Sequence, residues 1–156
     1  MISENEFESL LPLACSWAER QEREILRIGV PLSASSISDA MRIGVIQAAQ
    51  VRLLKVKEIP VPEHPMLRAA AEETDLISPF TVGLTLRYGI FIRSDCWNDR
   101  RLIFHELVHT MQFERAGGIR PFLERYLREC ITIGYPDAPL EREAINTTAR
   151  LFSVED

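Results

Sequence analysis

Residues 105–109 read His-Glu-Leu-Val-His, two imidazoles four positions apart with a carboxylate between them. On a helix, positions i and i+4 share a face one turn apart. His105 and His109 can then aim two nitrogen ligands at one metal ion, with Glu106 at the rim of the same face. Two neutral nitrogen donors beside a carboxylate make half of a zinc hydrolase site. The chain holds three His and 17 Glu in 156 residues. Shuffling such a composition yields this pattern in roughly half a per cent of cases.

The segment that must carry the motif, Arg100 to Phe113, contains no Pro or Gly and is apolar nearly all round. That pattern marks a buried helix rather than an amphipathic surface one. Asn98 or Asp99 offers an N-cap, and Gly117-Gly118 a stop. Imidazoles and a carboxylate buried on one turn are costly unless a cation satisfies them.

A catalytic zinc site needs three protein ligands. No third histidine follows the motif; His64 lies in a Pro-rich loop and is expected at the surface. Cys15, Cys96 and Cys130 are odd in number and widely spaced, which predicts free thiols in a reducing compartment. Cys96 and Cys130 are weaker ligand candidates, because they lack motif spacing. Better candidates are Glu141 and Glu143, on a helix expected over 139–152. The stiff loop Tyr135-Pro136-Asp137-Ala138-Pro139 delivers that helix back toward the core.

Composition narrows the function. Net charge is −5, and no basic tract is available to neutralise phosphates, which argues against nucleic-acid partners. No apolar run approaches a membrane span. The first eight residues are acidic where a secretory signal is basic, so the expected location is cytoplasmic.

The elements that must position the motif are read as one domain over 1–156. A helical part occupies 1–50: helical spacing over 4–28, with Pro12 either starting the helix or dividing it, then a second helix from Ser36 or Ser38 to about Gln47. A small sheet of about three strands occupies 51–95. It comprises a strand at 51–56 and a hairpin of 81–86 with 90–92, whose Gly89–Ile92 strand is expected to offer a free edge for an extended peptide. A helix at 66–75 between them is expected only to connect. The metal-site helices occupy 98–152, including one from Ile119 to Ile131. The fold class is α+β, with the sheet packed on the motif helix.

His105-Glu106-Leu107-Val108-His109 followed by Glu141-Arg142-Glu143-Ala144 resembles the gluzincin class of zinc metallopeptidases. The phrase from Gly134 to Ala144 also looks like small bacterial proteins with a reduced version of that fold. The resemblance covers 81–152 and hardly touches the first half. It implies a zincin-like fold, Zn2+ held by His105, His109 and Glu141, with Glu143 in reserve, and a peptide or protein substrate. Glu106 would take a proton from the attacking water and return it to the leaving amine, and Tyr135, ahead of Tyr88 and Tyr126, would steady the oxyanion. One departure stands out: the Asp that usually buttresses a ligand histidine is replaced by Ile145, so Asn146, Gln112 or a backbone carbonyl must serve. The alternative reading is a metal-binding but catalytically silent domain that works through a protein partner.

Overall fold

The computed structural model describes residues 1–155. Four strands, β1 (Val30–Pro31), β2 (Arg52–Val56), β3 (Gly83–Leu86) and β4 (Gly89–Arg93), form one mixed sheet in the order β1-β2-β4-β3. β2 and β4 run parallel, while β1 and β3 lie antiparallel to their neighbours. With six α-helices around this sheet, the fold is α+β. The sheet has four strands rather than three, and the helical part is interrupted by β1. Two residues are too short to show alternation. Gly29 makes the entry possible, because a Cβ there would lie 2.6 Å from the Ile25 carbonyl oxygen and 2.9 Å from that of Leu53.

β4 is buried on both faces. Ile90 and Ile92 enter one apolar cluster, and Phe91 enters another. That alternation fits a strand with period two and a covered sheet on each side. β4 is therefore no edge: β2 and β3 flank it, and the sheet's edges are the two-residue β1 on one side and β3 on the other. The hairpin itself is present, with Leu86 opposite Gly89 and Arg87-Tyr88 as its turn. Arg87 takes φ 60°, the positive value that tight hairpin turns need. Gly89 falls inside the strand instead, where a Cβ would press on Ile25 at 3.0–3.2 Å.

α1 (Glu4–Ile28) runs unbroken through Pro12 and starts with a capping box between Ser3 and Glu6. α2 (Ala34–Ile43) is capped by Ser33 rather than Ser36 or Ser38, and stops before Gln47 at left-handed Gly44. α3 (Pro65–Thr74) is capped by His64, whose Nδ1 accepts the Met66 N–H at 3.2 Å. His64 is exposed, as expected. α3 does more than connect, since Leu67 and Ala71 are buried in the same cluster as α1.

α4 (Arg100–Ala116) carries the motif. Asp99 caps it by accepting the Leu102 N–H at 3.0 Å, and Gly117 ends it with φ 102°. Its apolar residues go in three directions. Ile103 and Leu107 pack with Ile90 and Ile92 of the sheet, Phe104 and Val108 with Ala144, and Phe113 with Phe122. This enclosure explains why the segment is apolar all round. α5 (Ile119–Thr132) follows after Gly118, and α6 (Pro139–Glu155) packs along α4. Among the described residues, no helix is long and apolar enough to cross a membrane.

Candidate metal centre

His105 and His109 project from one face of α4, their ring centroids 5.1 Å apart. Glu141, in the first turn of α6, reaches both. Its Oε1 lies 2.8 Å from His105 Nε2, and its Oε2 lies 3.1 Å from His109 Nε2. One donor atom from each residue falls within 4.8 Å of the others, so the group could hold a metal ion. Glu143, two residues on, is turned away and paired with Arg115 at 2.7 Å. The helical period makes the choice between the two glutamates: positions i and i+2 do not share a face.

A carboxylate this close to two imidazole nitrogens needs a hydrogen or a cation on each line between them. A proton or a metal ion can serve. Burial alone would lower the pKa of His109, but the Glu141 hydrogen bond and the charges of Glu106 and Glu141 push it up to about 9. Burial would raise Glu141, yet its hydrogen bonds to His105 and His109 hold it well below the usual carboxylate range. Two nitrogens and one oxygen also match the donor set that zinc prefers.

The far side of His109 fixes its tautomer. The Gln112 amide nitrogen donates to the Leu140 carbonyl at 2.9 Å and to Glu143 at 2.7 Å. Both partners are acceptors, so the amide oxygen must face His109 Nδ1, which it does at 2.8 Å. Nδ1 therefore keeps a hydrogen for Gln112, and Nε2 is the nitrogen that faces Glu141, donating a proton to it in the metal-free pair and free to bind a cation once that proton leaves. Of the buttress candidates named above, Gln112 is the one that meets His109. Glu143, Arg115 and the Leu140 carbonyl hold Gln112 in turn.

Tyr126, one turn after Phe122 on α5, donates its hydroxyl to Glu141 Oε2 at 2.8 Å. Its ring stacks on Phe122 and meets His109 edge-on. Tyr88 does not reach the site, because its hydroxyl is bound to Glu114 at 2.8 Å. Tyr135, 45% exposed, lines the rim of the same cleft as the triad, and partial desolvation of its phenol together with the Glu141 and Glu106 charges raises it far above the ordinary value. It stays a hydrogen-bond donor at neutral pH.

Glu106 is held from the sheet. Thr85 Oγ1 lies 2.9 Å from its Oε1 and 3.0 Å from its backbone oxygen. Gly83, two residues earlier on the same face of β3, leaves room for the side chain: a Cβ there would come within 3.1 Å of Glu106 Cγ and Cδ. The Glu106 carboxylate ends 3.9 Å from His105 Nε2. Sequence reading missed Thr85 and Gly83, since only the β3–α4 packing brings them to the motif. The cysteines take no part in the triad: Cys15 and Cys130 are buried, and all three are free thiols.

The triad and Glu106 sit at one end of a cleft of about 170 Å3. All four residues of β3 line it, so the cleft bends around the β3 edge of the sheet. Its other walls come from α1, α3 and α5, and they are apolar. In comparisons with known proteins, no family model, no curated protein and no solved structure matches the chain.

Proposed function

We propose that this chain is a metal-dependent hydrolase acting on peptide bonds, a reduced zincin-like domain of gluzincin type. His105, His109 and Glu141 are the proposed metal ligands, Glu106 the general base and Tyr135 the oxyanion donor. The observation that carries the reading is the approach of Glu141 to both motif histidines from a separate helix, with Glu106 held beside them. An accidental motif would not call for a third donor 36 residues from His105 and 32 from His109.

Zinc held by these groups would supply Lewis acidity, lowering the pKa of a water ligand to about 7 and polarising a carbonyl. The residues do the rest. Glu106, oriented by Thr85, accepts a proton as water oxygen bonds to the carbonyl carbon. It returns that proton to the nitrogen as the carbon–nitrogen bond breaks. Tyr135 donates to the oxygen that gathers charge.

The test is hydrolysis of casein and a quenched peptide library by zinc-loaded and chelated protein. Cleavage should require the metal. Glu106→Gln should reduce it by about 10²–10⁴-fold with zinc content unchanged. Full activity in that variant removes the mechanism. No cleavage by loaded wild-type protein leaves a metal-binding domain that acts through a partner.

A further inference from the structure

The cleft beyond the triad has a chemistry of its own. Leu10 and Trp17 of α1, Leu67 and Ala70 of α3, and Leu127 and Ile131 of α5 are among its walls. Among the described residues no Lys or Arg lines it; its ionisable groups are His105, Glu106, His109, Glu141 and the two tyrosines, gathered around the triad. We infer that this cleft selects a neutral stretch of substrate bearing one large apolar side chain, of leucine or phenylalanine size, beside the bond to be hydrolysed. The bond hydrolysed rests on the proposed peptidase reading; the side-chain preference rests on the cleft alone.

Size sets the scale. At about 170 Å3 the cleft is close to an apolar cavity of about 150 Å3 that takes up benzene. One aromatic or branched side chain matches it. Charge sets the class. An anionic group placed against the α1, α3 and α5 walls, away from the metal, loses its water and finds no Lys or Arg. A neutral apolar side chain is therefore favoured there. The selecting walls lie on α1, α3 and α5, outside the motif helix.

Trp17 provides a readout independent of turnover. With Trp97, which packs in the other apolar cluster, replaced as Trp97→Phe, Trp17 fluorescence of the zinc-loaded protein reports binding. The ligands are N-acetyl amides of alanine, leucine and phenylalanine and an octanoyl amide. The leucine or phenylalanine amide should bind at least about tenfold more tightly than the alanine amide, in line with hydrophobic-pocket discrimination. Ala70→Leu, which fills the cleft, should erase the preference, and Leu127→Ala, which widens it, should shift the optimum toward a tryptophan amide; zinc content should not change in either. Equal binding of the alanine and phenylalanine amides, or tightest binding of the octanoyl chain, would each overturn the inference. Selective binding without cleavage of a phenylalanine-containing peptide upholds the cleft and sinks the peptidase reading instead.

Discussion

Among the described residues, four carboxylates are buried, and they fall into two kinds. Glu22 (3% exposed) and Asp39 (1%) are each held by arginine: Glu22 by Arg87 at 2.7 Å, Asp39 by Arg100 at 2.9 Å and by Arg42. Glu141 (3%) and Glu106 (5%) are held by imidazoles and a threonine hydroxyl. An arginine is a permanent cation and closes the electrostatic question. Imidazole carries charge only conditionally and binds metals when neutral. Burial is the same in both places, so burial alone does not distinguish them. The partner does: the arginine pairs tie α1 to the β3–β4 turn and α2 to the start of α4, whereas the imidazole pairs leave a carboxylate with capacity for another cation.

The contrast breaks most sharply under substitution. Glu141→Ala should abolish the rise in melting temperature that zinc produces in the wild-type protein. That rise corresponds to about 2.7 kcal/mol at 100 times the dissociation constant. Asp39→Ala should do the reverse, lowering stability by about 1–3 kcal/mol as the Asp39 link between α2 and the start of α4 is lost, with the zinc response intact. A zinc response lost in Asp39→Ala and kept in Glu141→Ala would invert the assignment.

Gln112→Leu tests the next layer. It removes the acceptor that fixes the His109 tautomer, so zinc affinity measured by competition with a chelator should fall about 10–100-fold. An unchanged affinity assigns Gln112 to packing alone.

Acid stability sharpens the arginine half. The Arg100 hydrogen bond, against an opposing burial effect and with help from Arg42, holds the Asp39 carboxyl below its ordinary value of 3.8. A lowered folded pKa gives stability that is present above the unfolded value and is lost as pH falls through the folded one. Below pH 3.8, Asp39→Asn should flatten the loss of stability relative to wild type, read from denaturant midpoints. Equal slopes would show that Asp39 does not contribute there.

The smallest effect belongs to Gly83→Ala. The added methyl needs only a few tenths of an ångström from the flexible Glu106 side chain. Hydrolysis should fall several-fold through kcat, about 1 kcal/mol in barrier, with zinc affinity unchanged.

The sequence made α4 legible in detail, because its chemistry and its caps are local: His105, Glu106, His109, Asp99 and Gly117 lie within a single helix and its ends. α1 and α5 were legible from period 3.6, and α6 from the stiff loop that precedes it. The Ser3-Glu4-Asn5-Glu6 capping box was readable and was missed, as was the Ser33 cap. The sheet was less legible. The parallel pairing of β2 with β4 is set by packing across 37 residues, so neither strand order nor the free edge of β3 follows from alternation. The same cause hid Thr85 and Gly83, which meet Glu106 only through that arrangement. Glu141 was within reach because a short loop and a helix must return somewhere. Tyr126 stood only third among the tyrosine candidates, since its spacing with Phe122 reads as ordinary core.

Zinc titration into metal-free protein, followed by elemental analysis after dialysis at neutral pH, addresses the triad most directly. One equivalent should remain bound to wild-type protein and be lost from His105→Ala and from Glu141→Ala alike, while Glu143→Ala retains it. Retention by Glu141→Ala with loss from Glu143→Ala, or no binding by the wild-type chain, would contradict a cation seated between α4 and α6.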